Sequence, residues 1–245
     1  MKGFLLLLQF MTRIPTPKVK YDKEQMGKAM KFFPVVGMII GGILYYTYLF
    51  LNQHFHSPEV IMILLILTEI VLTGGLHLDG LADTFDGIFS YRSKKRMLEI
   101  MKDSRIGSNG ALSLIIFFAL KGTLLKEVIS IDGTAYVLLV MPVIARFNSV
   151  LNCGVAKYAR PTGMGKCVVE ETTMSGVILS FIITGAYSYY FIGLTGIYAL
   201  IVVSLLGFYF AKLMERKIGG VTGDTLGAVV EMSSIVVLLV GALNG

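Results

Sequence analysis

The chain has 245 residues, of which 55% are apolar and 16% charged. The apolar residues fall in long blocks rather than in a helical stripe or a strand alternation, which argues against a water-soluble globular fold and for a bilayer as solvent. The formal net charge of +6 does not point to nucleic acid, because the basic residues occupy gaps between apolar blocks and no nucleic-acid-binding motif is present.

Residues 4 to 11, FLLLLQFM, are too few to cross a bilayer and run into TRIPTP, whose prolines end a helix. They lack the longer apolar core and small-residue cleavage site of a signal peptide, so an interfacial or re-entrant element is expected. Pro34 then opens a first span to about Leu51. Further spans are expected over roughly 60–78, 110–129, 134–151, 175–193, 195–213 and 226–243, each near the ~20 residues a bilayer core requires. Lys121 and Lys126 interrupt the third. In SYRSKKRMLEIMKDSRIGSNG, Met97, Leu98, Ile100 and Met101 fit one side of a short helix and Arg92, Arg96, Glu99 and Asp103 the other, the pattern of a helix on the membrane surface. The expected fold is an all-α polytopic integral membrane protein with about seven transmembrane helices, in a single domain over residues 1–245. Cys153 and Cys167 have no CxxC spacing or neighbouring His and read as free thiols.

The basic residues give an orientation. With the N-terminus inside, residues 1–33, 79–109, 152–174 and 212–225 lie on the cytoplasmic side and carry seven, six, three and three Lys or Arg. Only Lys121 and Lys126 fall toward the other side, with Arg146 inside a span. This skew follows the positive-inside rule and sets a multi-pass protein in the cytoplasmic membrane with its site facing the cytoplasm.

The chemistry concentrates in GGLHLDGLADTFDG, residues 74–87, at the polar end of the second span. Helical spacing stacks Asp79, Asp83 and Asp86 on one face, where like charges repel unless a cation holds them. Such an oxygen-rich face suits magnesium, which keeps waters and bridges to phosphate. His77 has three open readings: metal ligand, phosphate donor or interfacial residue. A second acidic motif, GGVTGDTLGAVVE at 219–231, places Asp224 and Glu231 on one helical face at the same side of the membrane. Both motifs can form one composite metal site; alternatively Asp224, or Thr222, only caps the last span. Arg92, Arg96, Lys102 and Arg105 lie beside the carboxylates as candidate phosphate cations, while Lys94 and Lys95 read as contacts to lipid headgroups. Gly107, Ser108, Asn109 and Gly110 are placed to form a backbone donor nest at the start of the third span. Arg146 either snorkels or serves the site with Asn148 or Asn152, and Glu69 is a candidate partner or a buried protonated acid.

The segments LQFMTRIPTP, FFPVVGMIIGG, TGGLHLDGLADTFDG, RMLEIMKDSRIGSNG and GGVTGDTLGAVVE together closely resemble the cobalamin synthase family, the adenosylcobinamide-GDP ribazoletransferases, in order and across nearly the whole chain. The resemblance implies a magnesium-dependent phosphotransferase that joins α-ribazole or its 5′-phosphate to adenosylcobinamide-GDP and releases GMP, in the final steps of cobamide assembly. It implies metal ligands among Asp79, Asp83, Asp86, Asp224 and Glu231, and catalytic roles for Asp83, Asp86, His77, Lys102 and Arg105, one of the first three accepting the proton of the ribazole 5′-hydroxyl. Substrate contacts fall to Arg92, Arg96, Asp103, Asn109, Arg146 and Thr222. A lipid bilayer is the expected surrounding and nucleic acid is not a partner; a homo-oligomer and association with other cobamide-assembly enzymes are compatible with the sequence.

Two other classes compete. A CDP-alcohol phosphotransferase also uses membrane-embedded aspartates, but DGLAD puts Asp83 where that family has Arg. A cation-coupled transporter predicts carboxylates near midspan on paired broken helices, whereas these clusters lie at one face beside basic loops.

Overall fold

The computed structural model describes residues 2–131 and 133–244. Eleven α-helices follow one another among them: α1 (Lys2–Met11), α2 (Lys23–Ala29), α3 (Phe33–His54), α4 (Pro58–Thr73), α5 (Leu76–Ile88), α6 (Lys94–Ile100), α7 (Ser108–Ser130), α8 (Val137–Val155), α9 (Met164–Glu171), α10 (Met174–Ile218) and α11 (Gly223–Leu243). Among the described residues the extended structure is one isolated parallel bridge between Tyr158 and Val221, so the chain is an all-α protein.

Four helical segments, Lys23–His54, Thr134–Val155, Met174–Ile218 and Gly223–Leu243, are long and apolar enough to cross a membrane, and α4 with α5 makes a fifth if that bent pair is one span. Two features reconcile this with the seven spans expected. First, α10 is not one rod. Ile192 and Gly193 leave helical geometry, and a Cβ on Gly196 would lie 2.6 Å from the Ser188 carbonyl oxygen while Gly185 faces Leu200. In a straight helix residues 185 and 200 stand ~22 Å apart, so α10 folds into two antiparallel arms. Second, α7, with 23 residues, is long enough to span, although Lys121, Lys126 and Glu127 lie on it. Lys121 is nevertheless buried inside the bundle.

Local chemistry sets the helix starts. Pro34 and Pro58 occupy first-turn positions in α3 and α4, and Ser57 and Thr173 side chains accept amides of α4 and α10. Thr222 and Thr225 form a reciprocal capping box on α11. The central rod is α8, with nearly every side chain from Val137 to Val150 buried. Gly37 and Gly41, four residues apart, bring α3 against the α8 backbone, where added Cβ atoms would lie 2.5 Å from the Pro142 oxygen and 2.4 Å from the Leu139 oxygen. Asn148 donates to Ser233 on α11 (2.8 Å) and Asn152 donates to the Gly207 carbonyl on α10 (3.2 Å). Exposed Ile63, Leu67, Ile115, Ile182, Leu205 and Phe208 form an outer face suited to lipid.

The expected span over 60–78 is corrected. It breaks at Gly74 and Gly75, both left-handed at φ 64° and 70°, and α5 leaves α4 at 91°. Glycine alone adopts this conformation without a Cβ penalty. The three aspartates therefore belong to a separate helix at the end of the bundle rather than to the end of a straight span.

The expected element at residues 4–11 forms α1, which packs on α2. The stretch after it returns over the end of α4, where the Arg13 amide donates to the Leu72 carbonyl at 2.7 Å. The expected surface helix is α6, which buries Met97 and exposes Lys94, Lys95 and Arg96. Cys153 is buried and both cysteines are free thiols.

Candidate active site

α5 packs across the first two turns of α11, and glycines make that approach close. A Cβ on Gly80 would lie 2.7 Å from the Asp224 carbonyl oxygen, and one on Gly227 would lie 3.2 Å from the His77 Cα. The two acidic motifs, about 140 residues apart in sequence, thereby share one rim. Asp83 feels the charges of Asp79, Asp224 and Asp86, with Arg160 as the opposing cation. The Asp79 and Asp83 carboxylates form no hydrogen bond or ion pair among the described residues.

Arg160 is the site residue that sequence reasoning missed; it entered only the count of basic charges. Its Nη2 lies 2.7 Å from Asp224 Oδ2, with the two side chains 10% and 23% exposed. Arg160 Nε is buried without a partner. The loop that carries it is tied to the turn before α11 by Val221 N donating to Lys157 O and Ala159 N donating to Val221 O, both at 2.8 Å. Thr222, expected to contact substrate, caps α11 and donates to Asp224 Oδ2 at 3.2 Å.

Other expected members go elsewhere. Asp86 turns to α7, where the amides of Gly107 and Gly110 donate to its two carboxylate oxygens at 2.7 and 2.8 Å. The expected donor nest thus holds a carboxylate of the same chain. Glu231 lies on the same face of α11 as Asp224 but two turns deeper, ~10 Å along the axis, and joins a buried charge cluster. There Lys121 Nζ stands 2.7 Å from Glu69 and 3.4 Å from Glu231, and Arg146 packs over the Phe33 ring within the field of both acids. Two cations and two anions make this cluster formally neutral. Arg146 donates to its own helix, at Pro142 O, and not to Asn148 or Asn152. Glu69, read as a candidate partner of Arg146 or a buried protonated acid, is bonded to Lys121.

The basic loop meets α5 through Asp86 rather than Asp83. Arg96, Asp103 and Arg105 line a small pocket of about 130 Å³ with Asp86. Arg96 is paired with Glu99, and Arg105 grips Asp103 through two donors at 3.0 and 2.7 Å. That grip holds the Asp103 carboxyl down at about 2. Arg92 and Lys102 are exposed, and Asn109 sits in the first turn of α7.

His77, Asp79, Tyr158, Arg160 and Asp224 line a cavity of about 210 Å³ that enters the bundle behind the rim. Burial raises the Tyr158 hydroxyl above its ordinary value. A larger cleft of about 440 Å³ between α7, α10 and α11 has no charged lining residue, which leaves it without groups for phosphate chemistry.

Among the described residues no three His, Cys, Asp or Glu side chains gather into a metal cage. Magnesium does not require one, since it is held by one or two carboxylates, waters and substrate phosphates. The unpaired oxygens of Asp79 and Asp83 beside Asp224 fit such an open site. Glu231 and Asp86, engaged with Lys121 and with two amides, are not part of that set in this structure.

A family model described as Cobalamin-5-phosphate synthase matches residues 3–242. Proteins named adenosylcobinamide-GDP ribazoletransferase are 48% identical in Fusobacterium nucleatum subsp. nucleatum (96% of this chain, 95% of that protein), 43% in Acetivibrio thermocellus (98% and 96%) and 40% in Caldanaerobacter subterraneus subsp. tengcongensis (98% and 97%). No solved structure matches the chain. With a family match over nearly its whole length and relatives covered end to end, the chain belongs to the cobalamin-5-phosphate synthase family.

Proposed function

We propose that this chain is a membrane-embedded adenosylcobinamide-GDP ribazoletransferase that joins α-ribazole, or its 5′-phosphate, to adenosylcobinamide-GDP and releases GMP. The observation that carries the reading is the meeting of Asp79 and Asp83 on α5 with Asp224 on α11 beside Arg160, in a chain of this family.

A ribazole hydroxyl oxygen attacks the phosphorus that bears the cobinamide ester. The bond from that phosphorus to the bridging oxygen breaks, and GMP departs with the bridging oxygen and its electron pair. The 5′ oxygen is already esterified when the 5′-phosphate is the acceptor, so the oxygen common to both acceptors is a ring hydroxyl of the ribose, and the 5′-hydroxyl assignment is set aside. Asp83 takes the proton: it is partly buried, unpaired and central, whereas Asp86 is committed to two amides. Arg160 is positioned to turn its unpartnered Nε toward the diphosphate, where a fixed cation opposes charge developing on the leaving phosphate. Asp79 and Asp224 would hold Mg²⁺, which when bound supplies charge neutralisation on the diphosphate. Arg96 and Arg105 stand on the neighbouring pocket as a reserve of positive charge for the guanosine end.

The rim is assigned to the cytoplasmic face of the cell membrane. Nineteen of the 22 Lys and Arg residues lie in the segments at that end, as the positive-inside rule requires.

The test uses purified protein in liposomes with adenosylcobinamide-GDP, α-ribazole and Mg²⁺. GMP and a cobamide should appear together and a chelator should stop both. Asp83→Asn should lower turnover by about 10²–10⁴-fold, the usual worth of a positioned acid–base group, at unchanged membrane abundance. Absence of GMP from the wild type sinks the reading.

A further inference from the structure

Beside Asp79 and Asp224 the 210 Å³ cavity is lined largely by apolar residues, which make it an apolar slot. Met11, Met26 and Met30 come to it from the N-terminal helices, Phe33 from the start of α3 and Val168 from α9. Thioethers and an aromatic ring are good partners for a flat π-system. Besides Asp79, Tyr158, Arg160 and Asp224, the polar residues lining this cavity are His77 and Ser149. His77 is 4% exposed, packs edge-on against Phe33 with centroids 6.1 Å apart, and its Nδ1 has no hydrogen-bond partner. Buried polar atoms are rarely left so, and an imidazole nitrogen in an apolar wall beside a site calls for a ligand atom.

We propose that this slot receives the fused aromatic base of the ribazole nucleoside, with His77 meeting its free ring nitrogen, and that neither guanine nor the corrin ring enters it. The inference rests on the ribazole-transfer reading and adds the location of one substrate. Size supports it: sites for drug-sized ligands run roughly 300–1,000 Å³, so this slot admits a bicyclic base and excludes a macrocycle. Polarity separates the two bases. Guanine carries donors and acceptors along a whole edge, and burying them against methionines leaves them unpaired at considerable cost. A benzimidazole nucleoside has a single free ring nitrogen, an acceptor that one imidazole N–H satisfies. Placement agrees as well, because a base seated inside leaves its ribose at the mouth, beside Asp79, Asp224 and Arg160. In this arrangement His77 is a positioning residue that orients the nucleophile rather than the group that takes its proton.

The experiment varies each substrate separately in initial-rate assays of GMP release. Val168→Phe, which fills the slot from α9, should raise the KM for α-ribazole at least tenfold and leave the KM for adenosylcobinamide-GDP within twofold. His77→Ala should raise the same KM, His77→Gln should recover part of it, and the pH profile of kcat should not move. A rise confined to the adenosylcobinamide-GDP KM would assign the slot to guanosine or corrinoid and overturn the proposal, as would a kcat profile that shifts with His77. Wild-type protein provides a test independent of variant folding. In equilibrium dialysis α-ribazole should bind alone and should not be displaced by GDP; no binding, or displacement by GDP, overturns the slot assignment. Loss of GMP formation by the wild type would instead overturn the ribazole-transfer reading, so the two failures are distinct.

Discussion

Arg160 and Asp224 are joined by a 2.7 Å ion pair at the mouth of a cavity, with the arginine the more buried partner. The pair leaves the guanidinium Nε unsatisfied, so Arg160 has a donor to give to a diphosphate without abandoning Asp224. A hydrogen bond to a charged group contributes about 1.5–3 kcal/mol, which corresponds to tenfold or more in affinity. Arg160→Ala should therefore raise the KM for adenosylcobinamide-GDP at least tenfold. Arg160→Lys should recover only part, because an ammonium cannot serve two acceptors with a planar fork. An unchanged KM in both variants would leave Arg160 as a brace for Asp224 alone.

Asp86 predicts a stability effect where its neighbours on α5 predict a kinetic one. Its carboxylate closes the start of α7 through the Gly107 and Gly110 amides. Removing a cap of this kind costs about 1–2 kcal/mol, and Asp86→Ala should lower the thermal midpoint in detergent by a few degrees. Asp86→Asn, which keeps one good acceptor oxygen, should fall between. A variant that unfolds like the wild type yet loses all turnover would place Asp86 in the chemistry instead.

Lys121 predicts the largest loss of stability. Removing one partner from a buried ion cluster typically costs about 3–5 kcal/mol because the remaining charge is uncompensated. Lys121→Met leaves Glu69 and Glu231 facing one another and should reduce the yield of folded protein sharply, read by size-exclusion chromatography in mild detergent. Adding Glu69→Gln to Lys121→Met should restore part of that yield. If the single variant is as well folded as the wild type, the cluster has no structural weight.

Gly80 tests the contact that builds the rim. A methyl there would lie 2.7 Å from the Asp224 carbonyl oxygen, a backbone atom that cannot rotate away. Gly80→Ala should push α5 from α11 and lower kcat at least tenfold while membrane abundance holds. Gly42, with open space around it, is the control: Gly42→Ala should leave kcat within twofold.

Hydropathy and charge made the helical fold, the span order and the surface helix legible, because bilayer length and apolar run length are tied directly. They did not show the break at Gly74–Gly75, since a turn made by backbone conformation leaves no hydropathy mark. Spacing correctly set Asp224 and Glu231 on one face of α11 but carried no depth, so a rim acid and a buried acid looked like one motif. The glycines at 107 and 110 did form the predicted donor nest; only proximity in space reveals that Asp86 already fills it. Arg160 was invisible for the same reason, as a cation in a basic loop that becomes specific only opposite Asp224.

The neutral cluster of Glu69, Lys121, Arg146 and Glu231 has a consequence for how the protein is made. These four side chains lie on α4, α7, α8 and α11, so they leave the ribosome in that order. Glu69 and Lys121 balance once α7 has entered the membrane, but Arg146 then brings an uncompensated cation into the bundle. A charged residue at the centre of a bilayer costs roughly 2.5–3.5 kcal/mol on insertion scales, and here that cost is relieved only by Glu231 on the last helix. Charge balance inside the bundle is therefore reached only when the last helix is in place, which ties α11 to the helices that precede it.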